Sequence, residues 1–365
     1  MTQAFSIESA HLRKAAAAAH SIVSTNKAIP ILNNVRLDAA AGQLRLLTTD
    51  QDCWAELTIP AVVGAEVSTT VAAALLNDIA RNSPSGSQVE IEIKDTGASA
   101  KAGRARFRLP TLPADAFPPM NAAGLCEQVR IRVSDLLSAV GAVAHVKAEE
   151  NKPHLQGILF RPLPGGIEFA AFDGKRLSRS TAEATVSEDF EPMTMPGAVV
   201  AKLRTILEGA GDEITIGHNG RLALIEGNGI RFLTRLVEGK FTPYWTRLPE
   251  LNGDPVLFSA KDLMEALNRV GLVQDRHYSG VAVDLTQNWL TLSISNPAAG
   301  DVNEAVPVAY DGPEKRLGYN LRFLRDAVMQ CPGDEAEFHI DAEGAAHIFS
   351  RATGAPRHMM APMRA

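Results

Sequence analysis

One spacing recurs through this 365-residue chain and limits what it can fold into. Three short apolar runs, Asn34-Val35-Arg36-Leu37, Gly157-Ile158-Leu159-Phe160 and Gly280-Val281-Ala282-Val283, place Val35, Ile158 and Val281 at successive intervals of 123 residues. The next run ends at Asp50, Asp173 and Asn296, again 123 residues apart. Ahead of each run lies an amphipathic helical stretch with a nearby serine: Ser6 before Leu12 and Ala15, Ser134 before Leu136 and Ala139, Ser259 before Leu263 and Ala266. Each Leu and Ala lie three residues apart, on one helical face, and a serine at that place suits an N-cap.

A second helix is predicted in each unit, over 71–82, 196–208 and 320–330. Each runs into a glycine-containing turn: Pro84-Ser85-Gly86, Gly209-Ala210-Gly211 and Pro332-Gly333. Glycine permits the left-handed backbone that ends a helix. Alternating strands follow, as in Val89-Glu90-Ile91-Glu92-Ile93. The repeating unit is helix, strands, helix, strands. It is far longer than a solenoid repeat and has the size of a domain. The expected fold is α+β: three tandem domains, 1–125, 126–250 and 251–365, each with two helices covering antiparallel strands.

Hydrophobic residues make up 45% and charged residues 21% of the chain, ordinary globular usage that excludes disordered and collagen-like classes. The formal charge is −6, so a globally basic nucleic-acid binder is excluded and a locally basic one is not. Cys53, Cys126 and Cys331 are far apart and in no metal-ligand spacing, which favours a reducing compartment over a disulfide framework. No apolar run is long enough to span a bilayer, and Met1-Thr2-Gln3-Ala4-Phe5 does not begin a secretory signal. A cytoplasmic protein without membrane contact is expected.

The charge is unevenly placed. The six helical windows hold ten basic and seven acidic residues, a net +3, and the remainder is −9. Two readings stand: ordinary solvated helix faces, or helices that face one polyanion through salt-sensitive phosphate contacts. No phosphate-binding loop, nucleophile elbow, zincin helix or paired-cysteine motif is present. Asp50 and Asp173 do not read as catalytic carboxylates. They recur with Asn296 at equivalent places, where Asp or Asn makes local turn hydrogen bonds. His145, His154 and His277 are isolated.

Several motifs, in order, resemble one family. Ile29-Pro30-Ile31-Leu32-Asn33-Asn34-Val35 and Phe172-Asp173-Gly174-Lys175-Arg176-Leu177 are similar to two signatures of the bacterial beta sliding clamp, the processivity subunit of the replicative DNA polymerase. Thr111-Leu112-Pro113 with Phe117-Pro118, and Val237-Glu238-Gly239-Lys240-Phe241 with Tyr244 and Leu248-Pro249, resemble its interdomain turns. Met360-Ala361-Pro362-Met363-Arg364-Ala365 resembles its C-terminus.

The resemblance implies a homodimer of six domains, closed head to tail around double-stranded DNA without sequence preference. Twelve helices about 10 Å apart would line a bore roughly 28 Å clear. Lys27, Arg13, Lys14, Arg81, Lys147, Lys202, Arg204, Arg269, Arg322 and Arg325 would face the DNA. At the dimer interface, Phe107 and Leu109 would meet Leu272 and Val273, with Arg104 and Arg106 near Glu304. From the residues alone, Phe107 and Leu109 read equally well as core positions of an alternating strand.

The resemblance also implies a pocket for short linear peptides of the replicative polymerase, the clamp loader and other clamp-binding proteins. Its wall would be Leu155, Gly157, Phe172, Gly174, Arg176, Leu177, Thr242, Pro243, Arg247, Tyr278, Asn320, Phe323, Met359, Met360, Pro362 and Met363. Methionine and aromatic side chains suit varied apolar partners. For His358-Met359-Met360 the residues alone leave a disordered tail, chance Met content or a soft-metal site open. Phe172, Lys175, Thr242 and Ala365 stand where the family usually has Thr, His, Pro and a larger aliphatic residue. Deleting residues 359–365 is expected to abolish peptide binding and spare the dimer. No cofactor or metal is expected. The alternative reading is a multidomain α+β enzyme with an interdomain cleft and no recognised motif.

Overall fold

A computed structural model of the chain describes residues 3–23, 28–94, 97–148, 152–246, 248–249, 251, 255–275, 278–352 and 354–364. Its α-helices are α1 (Ser9–Ile22), α2 (Ala73–Asn82), α3 (Val133–Val143), α4 (Gly197–Val200), α5 (Leu203–Ile206), α6 (Ala260–Val270) and α7 (Leu321–Met329). The repeat seen in the sequence is a repeat in the core. Leu12, Ala15, Leu136, Ala139, Leu263 and Ala266 are all at most 4% exposed, and Val35, Ile158 and Val281 are buried in equivalent strands.

The three strand-end residues make the same turn. Asp50 Oδ1 accepts from Asp52 N at 3.0 Å, Asp173 Oδ1 from Lys175 N at 2.9 Å, and Asn296 Oδ1 from Ala298 N at 3.0 Å. Each spends one side-chain oxygen on backbone hydrogen bonds, as the sequence implied.

Capping differs between the repeats. Ser259 caps α6, its Oγ accepting from Asp262 N at 3.2 Å. Ser6 lies in the strand Gln3–Glu8 before α1, and the hydroxyl of Ser134 donates to Asp135 at 3.0 Å instead. The helix predicted over 196–208 is divided into α4 and α5. Between them Lys202 N donates to Val199 O at 2.9 Å, the tighter i→i−3 bond that interrupts an α-helix. The helix predicted from 71 begins at Ala73, because Val71 still belongs to the strand Val67–Ala72. The one predicted from 320 begins at Leu321, with Asn320 as its cap.

The chain forms two compact units, residues 1–137 with 184–236 and residues 138–183 with 237–365. In the first, Gln3–Glu8 pairs with Gln88–Lys94 in a five-stranded antiparallel sheet that ends at Ala105–Leu109. A nine-stranded sheet joins the first repeat to part of the second, where Ile230–Arg235 pairs with Cys53–Pro60 in the register Ile230↔Leu57 to Thr234↔Cys53. In the second unit Arg176–Glu183 pairs with Arg357–Met360, from Arg176↔Met360 to Arg179↔Arg357. These junctions leave neither pair of strands as a free edge.

The core of the third repeat places α6 and α7 against the strands, with Leu263, Leu267, Leu321 and Leu324 packed on Val281, Phe338, Ile348 and Met360. Among the described residues no helix is long and apolar enough to cross a membrane.

Candidate functional site

The strand Arg176–Glu183 begins with the turn that organises the site. Asp173 Oδ1 accepts from Lys175 N and Arg176 N, both at 2.9 Å. Gly174 has φ +94°, a left-handed conformation. A Cβ there would stand 2.5 Å from Lys152 Nζ, which donates to Asp173 O at 3.2 Å.

The turn aims Arg176 inward, where it is 5% exposed. Its Nε donates to Asp173 Oδ2 at 3.0 Å, Nη1 to Asp326 Oδ2 at 2.7 Å and Nη2 to His145 O at 3.1 Å. Its guanidinium lies 4.0 Å from the ring centre of Phe323. One side chain thus fastens the 173–176 turn to α7, using the fixed fork that makes arginine suited to carboxylates.

Behind Arg176 lies a buried polar chain. Ser178 Oγ is 3.1 Å from His145 Nε2 and 2.8 Å from His358 Nδ1. Burial, with the charge of Arg176 second, pushes His145 down to about 4. Burial pushes His358 down to about 3, helped by His145 and Arg176. Both rings are neutral at neutral pH.

In front is an apolar floor. Leu155, Leu159, Ala170, Leu177, Phe241 and Tyr244 cluster there, with Phe172, Leu248 and Met359 packed half-buried against them. A cavity of about 220 Å³ opens above, lined by Leu177, Leu248, Pro249, Leu251, Phe349 and Met359, with Arg179 and Arg357 at its side. The C-terminal segment forms a rim. Ala361 N donates to Lys175 O at 2.9 Å, and Met363 N donates to Gly318 O at 2.8 Å. The Tyr278 hydroxyl donates to Arg364 O, and Asn320 caps α7 by accepting from Phe323 N at 3.2 Å.

Of the expected wall residues, Leu177 and Met359 line the cavity and Phe172 packs on its floor. Gly174 belongs to the turn, Arg176 and Phe323 meet on the α7 side, and Tyr278, Asn320, Pro362 and Met363 are not among the lining residues. Leu155 and the buried Gly157, at the start of the strand Gly157–Leu163, lie beneath. Thr242 and Pro243 precede Tyr244 without lining the cavity. Met360 is a correction: strand alternation turns it away from Met359 into the core, where it is 2% exposed. Because residues 357–360 are a paired strand, the disordered-tail reading also falls. Arg247 lies outside the described residues. Sequence reasoning missed Leu251, Phe349 and His347, although Phe349 alternates with the core residue Ile348 in the strand Ala346–Ser350.

The other expected residues fall as follows. Lys14, Arg81, Lys147, Arg204 and Arg322 are exposed, and Lys202 and Arg325 are half-buried. Arg13 donates to Ala80 O and Ser83 O at 3.4 and 3.1 Å, tying α1 to the end of α2. Arg269 donates to Glu304 at 2.9 Å and to Glu265 at 3.5 Å, so its charge is already matched. Lys27 lies outside the described residues. Leu272 is 83% exposed, Phe107 and Val273 are half-buried, and Arg104 and Arg106 are exposed. Leu109 is 1% exposed and belongs to its own domain's core, since alternation along Ala105–Leu109 points it inward.

Family models of the DNA polymerase III beta subunit match end to end: the N-terminal domain over residues 3–121, the central domain over 130–243 and the C-terminal domain over 246–364. The chain belongs to the DNA polymerase III beta subunit family. It is similar to the beta sliding clamp of Caulobacter vibrioides, 28% identical over 346 residues that cover 91% of each chain. The beta sliding clamp of Escherichia coli K12 is 26% identical over 366 residues and 99% of each. Among solved structures, a Pseudomonas aeruginosa sliding clamp bound to griselimycin superposes with a TM-score of 0.93 at 25% identity, covering all of both chains. Caulobacter crescentus pol III beta does so with a TM-score of 0.89 at 26% identity, again with full coverage. A beta sliding clamp is a DNA-replication protein and the non-catalytic processivity subunit of DNA polymerase III. The enzyme reading is thereby overturned, and its three repeats are clamp domains.

Proposed function

We propose that this clamp closes with a second copy, head to tail, into a six-domain ring around double-stranded DNA, and that its groove docks linear peptides of the replicative polymerase, the clamp loader and other partners. Domains bounded at 1–125, 126–250 and 251–365 are the units of that ring, which works in the cytoplasm. The observation that carries the reading is the groove: an apolar floor of Leu155, Leu177 and Met359 against a rigid hub at Arg176. Apolar peptide side chains enter such a cavity while its fixed turn and C-terminal rim present backbone groups.

Exposed Leu272 with Val273 offers an apolar patch that Phe107 from another copy would cover, with Arg104 and Arg106 near Glu304, which keeps its bond to Arg269. The bore is read by exposed basic residues of the helical segments, Lys14, Arg81, Arg204 and Arg322 first, with Lys147, Lys202 and Arg325 beside them. Such contacts give affinity without sequence preference and fall with salt. The test is sedimentation together with DNA retention. A dimer that stays on nicked circles and leaves linear DNA supports the ring. A monomer at working concentration, or equal loss from both DNAs, refutes it.

A further inference from the structure

Beside the groove, on the same face of the sheet, lies a second and larger cleft of about 560 Å³. Four arginines line it, Arg161, Arg179, Arg351 and Arg357, against two glutamates, Glu168 and Glu337. Both glutamates are already occupied. Glu168 accepts from Arg161 at 2.7 Å, from Arg179 at 3.4 Å and from the Tyr244 hydroxyl. Glu337 takes Arg351 at 3.0 Å and His339 at 2.8 Å.

Arg357 is left over. No carboxylate lies within 4.0 Å of it among the described residues, and its guanidinium sits 4.7 Å from the ring centre of Phe349. Directly across the ladder its register partner is Arg179, another cation. Like charges facing each other on neighbouring strands cost stability. Burial, and then the Arg179 charge, pulls the Arg357 pKa below its ordinary value. The site has two guanidinium groups on one face and too little negative charge to match them. An anion placed between them would relieve the repulsion and accept charge-assisted hydrogen bonds.

The 220 Å³ and 560 Å³ cavities share Arg179, Phe349 and Arg357 as a common wall. A peptide whose apolar anchor fills the first has the second within reach of one flank, across that wall. We propose that the arginine cleft is a charged extension of the groove, where an Asp or Glu carboxylate flanking the partner peptide's apolar anchor docks between Arg179 and Arg357. The assignment rests on reading the groove as a peptide site. It makes Arg357 a specificity residue: from the shared wall it favours acidic flanks over neutral ones.

The test uses the full-length clamp and synthetic peptides with one Leu/Phe anchor. One peptide carries Ser-Gly flanks, and two carry an Asp-Glu pair on one side or the other. Titration calorimetry gives their affinities for the native clamp and for Arg357→Gln, with thermal melting as the check on folding. One acidic-flanked peptide is expected to bind roughly tenfold tighter than the neutral one at low salt, a gain that shrinks as salt rises. In Arg357→Gln the ratio of acidic-flank to neutral affinity should fall to about twofold or less, a ratio that cancels any change the shared wall makes to binding of the anchor itself. Arg357→Lys should keep only part of it, because lysine lacks the planar fork. Equal binding of acidic and neutral peptides, or a gain that survives Arg357→Gln, overturns the cleft and leaves the groove standing. If the neutral peptide itself fails to bind, the groove reading falls and takes the cleft with it.

Discussion

Arg176 and Asp326 stand 2.7 Å apart although 150 residues of sequence separate them. Arg176 also bonds Asp173 at 3.0 Å, so a single guanidinium holds the central repeat to α7 of the last one. The floor of the groove and its α7 side keep their spacing through this contact.

Removing the arginine should therefore be far worse than removing Asp326. Arg176→Ala strands Asp173, which is 8% exposed, and is expected to cost about 3–5 kcal/mol. Asp326 is 26% exposed, and Asp326→Asn keeps its shape, so about 1–2 kcal/mol is expected. Urea unfolding would measure both. Equal losses would mean that Arg176 is not the hub described.

His145 and His358 set a pH dependence. Their folded pKa values, about 4 and about 3, lie below the ordinary 6.5. Between pH 6.5 and 4 the unfolded chain takes up protons that the folded clamp refuses. Stability is thus complete above pH 6.5 and falls as pH drops through that window. Melting temperature should decline from pH 7 to pH 5, and the decline should flatten in a His145→Gln, His358→Gln double variant. An unchanged slope in that variant would rule out the pair as its source.

Basic residues on the helical segments should not contribute equally to DNA binding. Arg204 is exposed, and Arg204→Gln should lower the slope of log retention against log salt by about 0.9 if it meets one phosphate. Arg269→Gln should change it little, since Glu304 at 2.9 Å and Glu265 at 3.5 Å already neutralise that guanidinium. Salt-dependent retention on circular DNA separates the two.

Deleting residues 359–365 now reads differently from the expectation raised by the sequence. Met359 and Met360 belong to the strand Arg357–Met360, paired on both sides, and Met360 fills the core. That deletion should lower the melting temperature sharply, so lost peptide binding would carry no information. Removing residues 361–365 spares the strand and takes away the rim. It should weaken peptide binding about tenfold or more, with a melting shift of only a few degrees. Calorimetry with the neutral-flank peptide decides the point.

The threefold repeat was legible because burial fixes it. A leucine that must face a core recurs wherever the domain recurs, and the Asp50, Asp173 and Asn296 turns recur for the same local reason. The break between α4 and α5 was not legible, since Val199, Ala201 and Lys202 carry no glycine or proline to announce it. The groove was visible as far as motifs reached. Phe349 escaped because its membership depends on the pairing of Ala346–Ser350 with Arg357–Met360, and a register of that kind has no local signature. Leu251 reaches the cavity from outside any strand or helix. Met360 was misplaced for a simpler reason: a motif names neighbours in sequence, whereas a pleat sends alternate ones to opposite faces. Leu109 shares the face of Phe107 and is simply buried deeper in it.

That same ladder sets an order of events during synthesis. Ser178 leaves the ribosome 180 residues before His358, the residue that completes its hydrogen bonds. Until then the strand Arg176–Glu183 waits in the nascent chain with one side unsatisfied, a template for the wrong neighbour. Chaperone demand for this clamp should accordingly peak late in translation, and it should ease once the closing strand arrives.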